Sequence, residues 1–287
     1  TITWSKGTDD EKLMARACGL VFLINKLGSQ NQEVGIKATI DTLADLLVEN
    51  LSQGSGALRS KLQSLLAHCE LLMRVGDEYR IQTEESTAWN DEFLSQQAAL
   101  SNEAHRIDAE REDRIRKKFG DVVRKLSLMH GSSNVPRDIH PIFDTQLPAD
   151  AHQRLCVWVR DGWSTDETSV RADARQAGNQ SPTVFVFIPK RSADDLRTHL
   201  INYKAATATL DKRGVPNTPE GTEARAAMET TKQGAEGKIR ELLDEAFSGA
   251  RIFQAGGNEM LGNDLQEMVL EAASNSLQRL YPQFQIA

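Results

Sequence analysis

Cysteine is scarce: the 287 residues hold three, Cys18, Cys69 and Cys156, widely spaced and with no CxxC pair. That odd, scattered set argues against a disulfide framework and fits buried thiols in a reducing cytoplasm. No apolar run approaches the ~20 residues that span a bilayer, so a transmembrane helix is not expected. There is no initiator Met and no signal peptide. Positive charge is also in short supply, 34 Lys and Arg against 41 Asp and Glu, a net charge of −7, which gives no overall bias toward nucleic acid. The motifs of several enzyme classes are missing. No G-x-x-x-x-G-K-[ST] loop occurs, and in GSGALRSK (54–61) Ser60 precedes Lys61 where that motif needs Gly. Neither a G-x-S-x-G nucleophile elbow nor an HExxH helix is present. Apolar residues at 39% and charged residues at 26% describe a polar, helix-rich globular chain, long enough for two domains.

The patterns that are present begin with helices. Thr8 to Glu11 reads as a capping box, T-x-x-E, opening a helix with Leu13, Met14, Ala17, Leu20, Val21 and Ile24 on one face and Gly28 at its end. Thr39 is placed to cap a second helix carrying Ile40, Leu43, Leu46, Leu47 and Leu51, and QGSG (53–56) breaks it. A third follows with Leu58, Leu62, Leu65, Leu66 and Cys69 at 3/4 spacing. Two strand-like runs, ELLMR (70–74) and YRIQT (79–83), flank Val75-Gly76-Asp77-Glu78, a Gly-containing hairpin loop. Three helices and then a hairpin are the sequence order of a winged helix, expected over 1–85.

From Thr87 to about Met129 loosely 3/4-spaced apolar residues lie among mixed-sign charges, AEREDRIRKK (109–118), predicting a long charged bridging helix over 86–130 with an exposed middle. HGSSNVPRD (130–138) and the prolines at 141 and 148 then mark a linker, 131–150. Beyond it the period changes. RLCVWVR (154–160) and TVFVFIP (183–189) are near-continuous β-branched and aromatic runs, as in strands buried on both faces. Ser192 to Asp195 starts one helix, ending near Lys212, and Thr218-Pro219-Glu220 a second, reaching about Phe247. ARIFQ (250–254) is a third strand, ended by Gly256-Gly257, and Asn263 is placed to cap a last helix that Pro282 stops. The fold class expected is thus α+β, mostly α. It comprises an N-terminal winged helix, a bridging helix and a small α/β layer domain (151–287) with a partly parallel sheet, its last two strands paired in parallel.

Three constellations bear on chemistry. For DNA, the third helix is the recognition element, with Arg59, Lys61 and Gln63 toward a groove and Arg74 and Arg80 of the wing on phosphates. Against it, residues 1–85 hold nine Lys/Arg and twelve Asp/Glu, and the wing tip carries Asp77 and Glu78, so protein docking is the reading preferred. His140, His152 and Cys156 lie close together but want a further ligand for zinc, and a core thiol with surface imidazoles is the reading adopted. Asp161, Asp166, Glu167 and Lys190 have a faint likeness to a metal-dependent nuclease, a degenerate one because Ile188 stands at the acid position. Gly256-Gly257 is read as a turn rather than an anion nest. No catalytic, cofactor-binding or metal residue is assigned, and neither a small-molecule substrate nor a membrane partner is expected.

Several strings resemble a known family. EYRIQTEESTAWNDEF (78–93) resembles the wing-to-helix junction of the large P-loop ATPase of bacterial BREX phage-exclusion systems, a pattern shared with the ATPase of phage growth limitation systems. TVFVFIPK (183–190), AATATLDKRGVPNTPEGTEARAAME (205–229), ARIFQAGGNE (250–259) and LQRLYPQF (277–284) are similar to it as well. The resemblance implies an internal fragment of a longer antiviral-defence ATPase, with ATP and Mg expected only in an ATPase core that this chain does not include. A winged helix after such a core is a common arrangement in AAA-like and STAND-like ATPases. It implies a cytoplasmic, non-catalytic scaffold whose partners are other BREX components, with DNA as the alternative partner.

Overall fold

The computed structural model describes residues 7–28, 36–49 and 54–281, with the side chains of 26–28 and 152 excepted. Its elements run α1 (Asp9–Gly28), α2 (Ile40–Leu47), α3 (Gly56–Leu66), β1 (Leu72–Val75), β2 (Glu78–Ile81), α4 (Glu84–Asn102) and α5 (Ala104–Arg124). There follow β3 (Leu128–His130), β4 (Val135–Arg137), β5 (His140–Ile142), β6 (Cys156–Asp161), α6 (Glu167–Ala177) and β7 (Val184–Ile188). Last come α7 (Ala193–Arg213), α8 (Pro219–Ser248), β8 (Arg251–Gln254), β9 (Glu259–Met260) and α9 (Leu265–Leu280). The described part is mostly helical, with one mixed five-stranded sheet. The chain divides into two compact units, Thr1–Asn102 with Asn202–Ala235, and Glu103–Ile201 with Glu236–Ala287.

In the first unit the capping box forms as the sequence indicates. Thr8 Oγ1 accepts from the Glu11 amide at 3.3 Å, and Glu11 Oε2 accepts from the Thr8 amide at 2.7 Å. Thr39 caps α2 through the Thr42 amide. The three apolar stripes meet in one core of Ala17, Val21, Leu43, Leu62 and Leu66, closed by Leu72 and Tyr79 of the hairpin. Leu51 and Gln53, the first residue of the QGSG break, lie outside the described residues. The hairpin is tighter than the sequence suggests. Val75 pairs directly with Glu78, so the turn is Gly76-Asp77, with Gly76 at φ +64°, a conformation glycine takes without a Cβ penalty. The Tyr79 amide donates to Ala38 O, which ties the hairpin to the segment before α2.

The same unit draws on helices far along the chain. Trp89 of α4 is buried against Ala206 and Leu210 of α7 and Ala224 and Met228 of α8. Gln97 donates to Asn202 at 2.7 Å, and Lys212 and Arg213 pair with Glu92 and Glu85. This layer falls outside a sequential domain ending at 85.

Residues 86–130 are not one bridging helix. Two helices meet at Glu103, which leaves the helical region at φ −105°, ψ 63°. Ser101 and Asn102 donate their side chains to the carbonyls of Gln97 and Ala98 in the last turn of α4. Gly120 lies inside α5 and does not interrupt it. The middle is largely exposed, as expected: Ser101, Asn102, Ala104, His105 and Arg106 face solvent between the buried Leu100 and Ile107.

In the second unit the sheet order is β5-β6-β7-β8-β9. The expected linker 131–150 is a correction, because it contributes β4 and also β5, which pairs in parallel with β6. Strands of three residues, two of them containing proline, carry no readable alternation. β6 and β7 pair in parallel, with one helix, α6, returning the chain between them. β7 and β8 pair antiparallel, contrary to expectation. Two helices, α7 and α8, intervene there, and two traversals bring the chain back to the end it left. Trp158, Phe185 and Phe253 share one sheet face, which Val170 and Ala174 of α6 cover. Val157, Val186 and Ile252 alternate with them and are equally buried. α9 packs on β7 and β8 and is capped by Asp264, one residue after the Asn expected. Pro282 lies outside the described residues.

Candidate functional site

The basic residues singled out for DNA do not form one surface. Arg59 of α3 reaches Asp41 at 3.3 Å and Asp45 at 3.3 Å, both on α2, and Lys61 pairs with Asp10 of α1 at 2.5 Å. The Ser55 hydroxyl also donates to Asp45, at 2.5 Å. Those donors, Ser55 first and Arg59 next, hold the Asp45 carboxyl below the usual carboxylate range. A phosphate arriving at Arg59 therefore meets two carboxylates already in place. Exposed pairs of this kind contribute little to stability, about 0–1 kcal/mol, but they neutralise the face whatever their energy. Gln63, Ser60 and Ser64 are exposed on the same helix, and the exposed His68, in the turn after it, sets its ring against Ser64 O.

The hairpin separates the remaining two. Arg80 stands opposite Met73, and Arg74 opposite Tyr79, so the two arginines project from opposite faces of the ribbon. Arg74 turns back and donates its Nε–H to Gly76 O at 2.9 Å. Arg80 lies 3.6 Å from Glu78, which Lys37 also approaches at 3.1 Å. The face bearing Arg80 is backed by helices: Met73 and Val75 line a cleft of about 160 Å³ with Trp89 and Phe93 of α4 and Met228 of α8. A wing that grips a duplex presents an open face to it, and here that face belongs largely to the unit's own interior. Asp77 at the tip is exposed. The partners Asp10, Asp41 and Asp45 were missed from the sequence. Asp41 and Asp45 stand at i,i+4 on a helix, a spacing that puts both on one side and was there to be read.

The other constellations resolve individually. His140 and Cys156 become cross-strand partners in the β5–β6 register, the imidazole exposed and the thiol buried, while the His152 side chain lies outside the description. Among the described residues no group of three or more His, Cys, Asp or Glu side chains is placed to hold a metal ion. Asp161 and Lys190 lie at the carboxyl ends of the parallel strands β6 and β7, the edge where open α/β sheets place ligands. Asp161 is occupied there. Its Oδ1 accepts from the Trp163 and Ser164 amides at 2.9 and 3.1 Å, closing the turn after β6. Asp166 caps α6 through the Ser169 amide, a bond that lowers its pKa, and Glu167 pairs with Arg171. Lys190 enters through its backbone: a Cβ on Gly162 would stand 2.5 Å from its amide nitrogen. Each carboxylate serves a local bond, and none is directed at a shared point. The Gly256 and Gly257 amides donate to Ala174 O and Gln254 O in the β8–β9 turn, so neither is open to an anion.

Comparison with family models, with curated proteins and with solved structures gave no match for this chain. Among the described residues no helix is long and apolar enough to cross a membrane.

Proposed function

We propose that this chain is a non-catalytic docking segment of a phage-defence ATPase of the BREX type, holding that enzyme to other proteins of its complex. The observation that carries the reading is the neutralisation of α3: Arg59 and Lys61 are engaged by Asp41, Asp45 and Asp10 of the same unit. The order of three helices and a hairpin, with the hairpin tied back to the segment before α2, supports a winged helix used for protein contact. The family assignment rests on the sequence resemblance, and ATP and Mg would belong to the ATPase core. An acidic segment with exposed Glu70, Asp77 and Glu84 suits a basic partner surface.

The exposed row Ser60, Lys61, Gln63 and Ser64 on α3 favours one second reading, a DNA-binding winged helix of the same ATPase. Recovery of the other BREX components on the full chain separates the two. With docking, the triple charge reversal Glu70→Lys, Asp77→Lys, Glu84→Lys lowers recovery by roughly tenfold or more, since like charges across an interface are strongly disfavoured. Unchanged recovery with that variant, and with the matching reversal Glu112→Lys, Asp113→Lys, Glu271→Lys in the second unit, would contradict docking. Substitution is preferable to deleting 1–85, because 202–235 fold into the same unit.

A further inference from the structure

Cys18 and Cys69, 51 positions apart, come together in the first unit with their sulfurs 3.6 Å from each other. Cys18 sits on α1, and Cys69 in the turn between α3 and β1. Both sulfurs lie at an apolar cleft of about 280 Å³, lined by Met14, Phe22, Leu71 and Ile81. Phe22 and Leu71 are about half exposed, 48% and 54%, so the cleft opens to solvent. The third thiol, Cys156, is fully buried in β6. We propose that Cys18 and Cys69 form an oxidation site, closing to an intramolecular disulfide that fastens α1 to the root of the hairpin when a small uncharged disulfide enters the cleft.

The distance permits it. A disulfide needs about 2.05 Å between sulfurs, so the pair must close by about 1.5 Å, within reach of side-chain rotation. Cys18, the more accessible, attacks first: its thiolate forms a bond to one sulfur of the small disulfide, whose S–S bond breaks and releases one thiol. Cys69 then attacks the Cys18 sulfur of that mixed disulfide and expels the second thiol. The two protein thiols are oxidised, the small disulfide is reduced to two thiols, and their two protons pass to the two leaving thiolates. Burial, with the hydrogen bond to Cys69, pushes the Cys18 thiol up to about 12. The exchange is accordingly slow, which sets this pair apart from the fast catalytic dithiols of CxxC motifs.

The test uses the full chain, incubated under native conditions with 2-hydroxyethyl disulfide, then alkylated in denaturant and mapped by mass spectrometry. The expected product retains one alkylatable thiol of the three, Cys156, with the Cys18 and Cys69 peptides linked and the chain about 2 Da lighter. Cys18→Ser should abolish that link. The same treatment in urea should lose the selectivity and give mixed pairings with Cys156. Because the wild-type product alone decides the matter, a poorly folding variant does not weaken the test. Three thiols remaining, stable mixed disulfides at single cysteines, or native cross-links that involve Cys156 would each overturn the proposal.

Discussion

Phe185→Ala is expected to lower the stability of the second unit by about 3–5 kcal/mol, as deleting a buried aromatic ring does. Phe185 has no exposed surface and lies on β7, the middle strand of the sheet. Its ring meets Trp158 edge-on at 5.7 Å between centroids, and Phe253 is its partner on β8. The covering residues Val170 and Ala174 are small and fixed on α6, so they cannot follow the missing ring inward. Urea unfolding gives the loss, and hydrogen exchange should locate it in the amides of β6, β7 and β8. Phe185→Leu, which keeps most of the volume, should cost clearly less, roughly 1–2 kcal/mol. A loss below about 1 kcal/mol for Phe185→Ala would remove this ring from the core.

The second large effect distinguishes a layered first unit from a free-standing bundle with a bridging helix behind it. Trp89→Ala should also cost about 3–5 kcal/mol. Trp89 is 2% exposed, enclosed by Ala206, Leu210, Ala224 and Met228, with the Arg213 guanidinium over its ring at 5.4 Å. Arg213→Ala removes that stacking and the Glu85 pair and should cost about 1 kcal/mol. On a solvated bridging helix, Trp89→Ala would cost no more than about 0.5 kcal/mol. Exchange protection in α7 from Asn202 onward and in the first half of α8 should fall with it, because those helices share the cluster.

What was legible in the sequence follows the strength of each local signal. The Thr8–Glu11 capping box, the paired hairpin runs and the β-branched strands 156–161 and 184–188 are short-range patterns, and each gave its element. The break at Glu103 was not legible, because neither Gly nor Pro marks it. β5 was hidden in His-Pro-Ile, too short for alternation. The antiparallel return of β8 depends on counting helix traversals: two helices, α7 and α8, stand between β7 and β8, where a parallel return needs one. The candidate DNA residues were identifiable one by one, but not their partners. Arg74 and Arg80 look alike in composition, but the register that pairs Arg74 with Tyr79 and Met73 with Arg80 puts them on opposite faces, and the runs 70–74 and 79–83 already implied that register. The juxtaposition of Cys18 with Cys69 had no sequence signal, since it depends on how α1 packs against the turn after α3.

The central claim is that the first unit meets protein rather than DNA, and fluorescence anisotropy of a labelled duplex with the full chain tests it most directly. At a salt concentration of ~0.1 M no binding is expected up to ~10 μM chain, whatever the duplex sequence, because phosphate-dominated affinity needs free cations and Arg59, Lys61 and Arg80 are each paired with carboxylates. A micromolar or tighter complex that Arg59→Glu abolishes, and whose log–log salt slope falls by about 0.9 in Arg80→Ala, would contradict it.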